Sequence, residues 1–184
     1  MATAAQKLIT AEEFFRMPEP SDGSQQELVR GAIITMPPPG ALHGACCSRI
    51  NRRLATFVED HKRGTVFAND TGFILKRQPD TVRGPDVAFW TIERLPEIPT
   101  GYIELPADLV VEVVSPADHY ARIQRKVNEY LETGVRLVWV VDPEDRSVTV
   151  FHGSAKPRIL AENETVTGED VLPGFSCRVS DLLA

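Results

Sequence analysis

Two near-continuous apolar runs, Leu109 to Val114 and Leu137 to Val141, are joined by one amphipathic stretch, and that arrangement leaves few folds open. Runs of this kind, without polar alternation, are the pattern of strands covered on both faces. Between them, Asp118 to Glu132 carries Tyr120, Ile123, Val127, Tyr130 and Leu131 as an apolar stripe at helical spacing, and Gly134 stands at its C-terminal end. Strand, helix and strand in that order make a βαβ unit, hence a partly parallel sheet with a right-handed crossover. The fold class is therefore α/β with a mixed sheet. The first run contains one anomaly, Glu112. An ionised carboxylate in a doubly covered strand is costly unless it is paired, hydrogen-bonded or bound to a metal.

The rest of the chain supplies more strands than helices. Thr10, with Glu13 three residues on, predicts a capped helix start, and the stretch from Pro18 to Gly23 ends that helix. Glu27 to Ile34 predicts a short hairpin bending at Arg30 and Gly31, and Met36 to Gly40 an extended connector. From Leu42 to His61, Cys46, Ile50, Leu54, Phe57 and Val58 recur at helical spacing, closed by Gly64. Strands follow at 65–68, 72–76 and 84–90, the first two joined by a turn at Asn69 and Asp70. After the βαβ unit, Ser147 to His152 is a strand, and two or three short strands and a final turn at 179–183 end the chain.

The 184 residues carry 42% hydrophobic side chains, enough for one domain spanning 1–184 with a core of its own. No apolar run is long enough to cross a bilayer, and Met1 to Thr10 lacks the apolar core of a signal, so the expected location is the cytoplasm. A net charge of −6 gives no global basic footprint for constitutive nucleic-acid binding. It is compatible with an enzyme that needs divalent cations or meets its substrate briefly. Three cysteines make no disulfide framework. His43 precedes the adjacent Cys46 and Cys47, but the spacing fits no common zinc motif and a fourth ligand is not apparent, so buried helix residues are the favoured reading.

Chemistry gathers around two acids. Asp86 follows Pro85 at the start of a strand, and Glu112 lies in the next strong one. If those strands are neighbours, the carboxylates converge at one end of the sheet. Mg²⁺ is held in this way, through one or two carboxylates plus waters and substrate phosphate oxygens. On the helical wheel Lys126 falls on the flank of the apolar stripe and Arg125 points away from it. Lys126 can thus lean towards Glu112 and stabilise developing negative charge.

Pro85 with Asp86, the run from Glu112 to Pro116, Lys126 with Tyr130, and the stretch from Gly134 to Pro143 follow in order a known pattern. The chain resembles the Uma2 family (DUF820) of restriction endonucleases, within the PD-(D/E)XK nuclease superfamily. Glu27 to Gly31 and His43 resemble that family's N-terminal motifs, and the resemblance spans roughly Glu12 to Leu183. It implies a restriction-endonuclease-like core, a mixed sheet flanked by helices with additional hairpins, and Mg²⁺- or Mn²⁺-dependent phosphodiester hydrolysis. Carried over by position, Asp86 and Glu112 would be metal ligands, the backbone carbonyl of Val113 a third, and Glu27 an additional acidic ligand. The chain departs from the superfamily at Val114, where the motif's lysine would stand. Lys126 would supply that charge from the following helix.

Each of these residues also has a plainer reading. Glu112 can be the buried partner of a basic side chain, Asp86 turn chemistry, Lys126 a surface lysine and Glu27 a solvated hairpin acid. Asp118 reads as the N-cap of its helix, His43 as a cap or core-edge group, and Trp90 and Trp139 as core. Two functions stay open. One is an endonuclease acting on DNA, as a homodimer if both strands are cut. The other is a nuclease-fold module that binds nucleic acid or a protein partner without chemistry.

Overall fold

A computed structural model describes residues 7–116 and 119–184 of the chain. Helix α1 (Ala11–Phe15) begins with the expected capping box: the Glu13 amide donates to Thr10 Oγ1 and the Thr10 amide to Glu13 Oε2. Strands β1 (Gln25–Val29) and β2 (Ala32–Met36) form the predicted hairpin. Its bend is made by Arg30 and Gly31, with φ of 51° and 76°, the two left-handed residues that a tight hairpin turn requires.

Helix α2 (Ala41–Asp60) matches its predicted span within one residue, and Cys46, Ile50, Leu54 and Val58 are buried along one stripe. Gly64 opens strand β3 (Gly64–Ala68) rather than merely ending the helix. With φ of 144°, it lies where a Cβ would stand 2.0 Å from the Trp90 carbonyl oxygen. Strand β4 (Phe73–Lys76) follows the turn at Asn69 and Asp70 but joins a different sheet from β3. Strand β5 (Thr81–Arg83), which three residues of sequence did not announce, pairs with both β1 and β4.

Strands β6 (Val87–Thr91), β7 (Leu109–Val113), β8 (Leu137–Asp142), β9 (Ser147–His152) and β10 (Arg158–Ala161) build the main sheet with β3, in the order β10-β9-β8-β7-β6-β3. The β7–β8 pair is parallel, and its crossover is helix α3 (Tyr120–Glu132), as the βαβ reading requires. A second, separately hydrogen-bonded sheet has four strands in the order β2-β1-β5-β4, and β11 (Thr165–Thr167) pairs with β12 (Ser176–Arg178) near the C-terminus. The class is mixed α/β. No described helix is long and apolar enough to cross a membrane.

Strand alternation divides the main sheet's two faces. Leu109, Val111 and Val113 pack with Leu137, Trp139 and the α2 stripe; Val110 and Val114 pack with Val138, Val140 and, from α3, Val127 and Tyr130. Both predicted core tryptophans are fully buried. One member of the predicted α3 stripe is misplaced: Tyr120 is 82% exposed. It is the first residue of α3. The expected N-cap, Asp118, falls outside the described residues.

Candidate active site

Strands β6 and β7 are antiparallel neighbours with Val87 opposite Val111, so the next position along the register sets Asp86 against Glu112. Asp86 sits in a bend just before β6. Its Oδ2 accepts the Val113 amide at 2.6 Å, doing at the ladder's end what a carbonyl does within it. Its Oδ1 lies 3.2 Å from His43 Nε2 on α2. The plainer reading of Asp86, a polar side chain closing a strand end, is thus observed, and the same side chain faces the cleft. Both acids line one cleft of about 240 Å³, along with Glu27, Val113, His43 and Lys126.

Glu112 points to the α3 face of the sheet. Lys126 Nζ lies 2.9 Å from Oε2, and the Tyr130 hydroxyl donates to Oε1 at 2.5 Å. Lys126 and Tyr130 are four residues apart on α3, hence one above the other on the same face. The predicted lean of Lys126 towards Glu112 is thus observed, and Arg125 is exposed. Tyr130 is one residue whose role sequence reasoning missed. It is a member of the apolar stripe whose hydroxyl end is polar, as buried tyrosines generally require.

Glu27 is not a solvated hairpin acid: it is 2% exposed. Position 27 is the third residue of β1, and its carboxylate reaches inward to Lys126 Nζ at 3.2 Å and to Arg83 at 2.6 Å. Arg83 also donates from Nε and a terminal nitrogen to Glu129 Oε2, at 2.9 and 2.5 Å. Its strand was too short to show alternation, so nothing in the sequence pointed to it. Asp70, in the β3–β4 turn, accepts from Gln25 Nε2 and also lines the cleft.

The electrostatics follow from crowding. Burial pushes the Glu112 carboxyl up to about 7, against Lys126, with Asp86 and Glu27 adding to the rise. Asp70 is pushed up to about 6 by burial and then by Asp86. Burial also opposes ionisation of Glu27, but Lys126 and Arg83 outweigh it and hold that carboxyl below its usual range. Lys126 moves the other way. Burial disfavours its charge, but Glu112 and Glu27 more than compensate and keep the ammonium protonated. The cation is thus shared between two carboxylates, and Glu27, with Arg83 as a second partner, is the one that stays fully ionised.

The molecule is thus a mixed α/β protein whose main sheet presents two acids from adjacent strands, with the crossover helix bringing a lysine to one of them. The chain belongs to the Uma2 family, whose model, described as "Putative restriction endonuclease", matches residues 11–180. Its fold is similar to the crystal structure of a "putative nuclease belonging to DUF820" from Anabaena variabilis ATCC 29413. The TM-score is 0.80 and the identity 21%, over 95% of this chain and 97% of that one. No curated protein matches the chain.

Proposed function

We propose that this chain is a divalent-cation-dependent endonuclease that hydrolyses phosphodiester bonds in DNA. The observation that carries the reading is the register that sets Asp86 against Glu112 in one cleft, with an ammonium 2.9 Å from Glu112. The donor set suits a hard ion. Among the described residues, Glu27, Glu112 and Glu129 pair with Lys126 and Arg83, and Asp70 and Asp86 add two carboxylates beside them. A carboxylate oxygen accepts more than one bond, so the hydrogen bonds that Asp86 and Glu112 already accept leave capacity for a metal.

Asp86 and Glu112 would hold Mg²⁺ or Mn²⁺, with the Val113 carbonyl as a further ligand. Such an ion supplies an activated water and offsets charge on the phosphoryl oxygens. The chain's own groups do the positioning. The Val113 amide and His43 fix the Asp86 carboxylate, and the Tyr130 hydroxyl fixes Glu112. Lys126 presents positive charge where negative charge develops in the reaction. Glu27, itself held by Arg83, anchors Lys126 at that place. Cutting both strands would call for two copies of the chain, one site per strand.

A second reading keeps the fold as a binding module without chemistry. It is favoured by the fact that each oxygen of Asp86 and Glu112 already has a protein partner within 3.2 Å. One experiment separates the two: supercoiled plasmid is incubated with Mg²⁺ or Mn²⁺ and either the wild type or Glu112→Ala. Nicked and linear products with the wild type alone support the nuclease. Intact plasmid with both proteins, at concentrations where DNA is bound, supports the module.

A further inference from the structure

His43 and Cys47 stand four residues apart on α2, so both project from one face of the helix. That face meets Asp86. His43 Nδ1 lies 3.4 Å from the Cys47 sulfur, and Nε2 lies 3.2 Å from Asp86 Oδ1. One ligand atom from each of the three residues falls within 4.8 Å of the other two. Donors around a tetrahedral zinc ion are ~3.5 Å apart, given Zn–N near 2.0 Å and Zn–S near 2.3 Å. The set therefore needs to close by about 1 Å around an ion that takes one of the two imidazole nitrogens.

We propose that His43, Cys47 and Asp86 form a site for a borderline-soft divalent cation such as Zn²⁺, distinct in its chemistry from the carboxylate pair. Imidazole, thiolate and one carboxylate select zinc-like ions, whereas all-oxygen donors suit magnesium. On binding, the Cys47 S–H bond breaks, the sulfur forms its bond to the metal, and the proton passes to solvent. His43 and Asp86 line the cleft, so the fourth position opens there to water or to a substrate oxygen, as in zinc sites that keep one position free. Asp86 belongs to both sets. If the nuclease reading holds, zinc at this site takes a ligand from the hard ion and opposes cleavage.

The test is a Co²⁺ titration of the metal-free protein, followed by the sulfur-to-cobalt charge-transfer absorption in the near ultraviolet. The wild type is expected to show the band with saturation at one equivalent, and Zn²⁺ is expected to displace it. Cys47→Ser and His43→Gln are each expected to lose it, while their circular dichroism and unfolding midpoints without metal confirm folding. Cys177→Ser and Glu112→Gln are expected to keep the band. No band in the wild type, or a band that survives in Cys47→Ser, overturns the proposal. The readout depends on a thiolate and not on cleavage. A cobalt band without nuclease activity would refute only the nuclease, and cleavage without a band would refute only this site.

Discussion

Glu112→Gln isolates the cost of the buried charge. The amide keeps the size of the side chain and still accepts from the Tyr130 hydroxyl, while Lys126 retains Glu27 at 3.2 Å. The wild-type carboxyl is raised from 4.5 to about 7 by burial, with Asp86 and Glu27 adding to the rise against Lys126. Below pH 4.5 the group is protonated both folded and unfolded, and it contributes no pH dependence. Between 4.5 and about 7 the unfolded carboxyl ionises while the folded one keeps its proton, so the folded state binds more protons. Stability conferred by this group is therefore fully present at low pH and is lost as pH rises through the folded value. Each pH unit separating the unfolded from the folded value is worth about 1.4 kcal/mol, so the loss across the window is on the order of 3 kcal/mol.

The assay is urea unfolding at a series of pH values from about 4 to 8, read by the fluorescence of the buried Trp90 and Trp139. Taking wild type minus Glu112→Gln at each pH cancels most of what the other groups contribute. The difference should fall by on the order of 3 kcal/mol between pH 4.5 and about 7 and then level off. Saturating Mn²⁺ should flatten the slope, because a metal-bound carboxylate must be ionised. A difference that stays constant with pH, or rises with it, would refute the claim that burial and neighbouring acids outweigh Lys126.

Lys126→Met should destabilise the protein by about 3–5 kcal/mol near neutral pH, measured by urea unfolding, because it leaves the buried Glu112 and Glu27 short of a cation. The loss should shrink as pH falls below about 7, where Glu112 takes up a proton. Tyr130→Phe removes a hydrogen bond to a buried carboxylate and should cost about 1.5–3 kcal/mol in the same assay. It should also move the Glu112 titration further up, since that bond favours the ionised form. Asp70→Asn should remove part of the wild type's loss of stability between about pH 4 and 6. Asp70 is raised by burial and by Asp86, so its stability contribution disappears as pH rises through about 6.

What could be read from the sequence was what periodicity and composition encode. The two apolar runs and the stripe between them dictated β7, α3 and β8, and the glycine and polar signals at Arg30–Gly31 and Thr10 dictated a hairpin and a cap. Glu112 was conspicuous because its neighbours are all aliphatic, and Lys126 could be placed because a helical wheel has a definite flank. Arg83 and Asp70 lay beyond such reasoning. Arg83 sits in a three-residue strand, and its partners Glu27 and Glu129 are 56 and 46 residues away in sequence. Cys47 could be placed on a helix, but that His43 would turn the pair towards Asp86 depends on how α2 docks against the β6–β7 end of the sheet.

Val114 shows why the site's cation comes from a helix. Position 114 shares the face of Val110 and Glu112, and there it packs with the apolar cluster that includes Val127 and Tyr130 of α3. A lysine at 114 would have to thread its ammonium through that packing. Lys126 instead descends from the flank of α3 and reaches Glu112 without breaking the seam. The consequence is structural as well as chemical. From Glu112 on β7 the ion pairs run to Lys126 on α3, to Glu27 on β1, to Arg83 on β5, and back to Glu129 on α3. This ring joins the four-stranded sheet to the main one through the residues that set the charge of the cleft. In such an arrangement the site cannot lose its lysine without loosening the contact between the two sheets, nor can α3 shift without moving the ammonium.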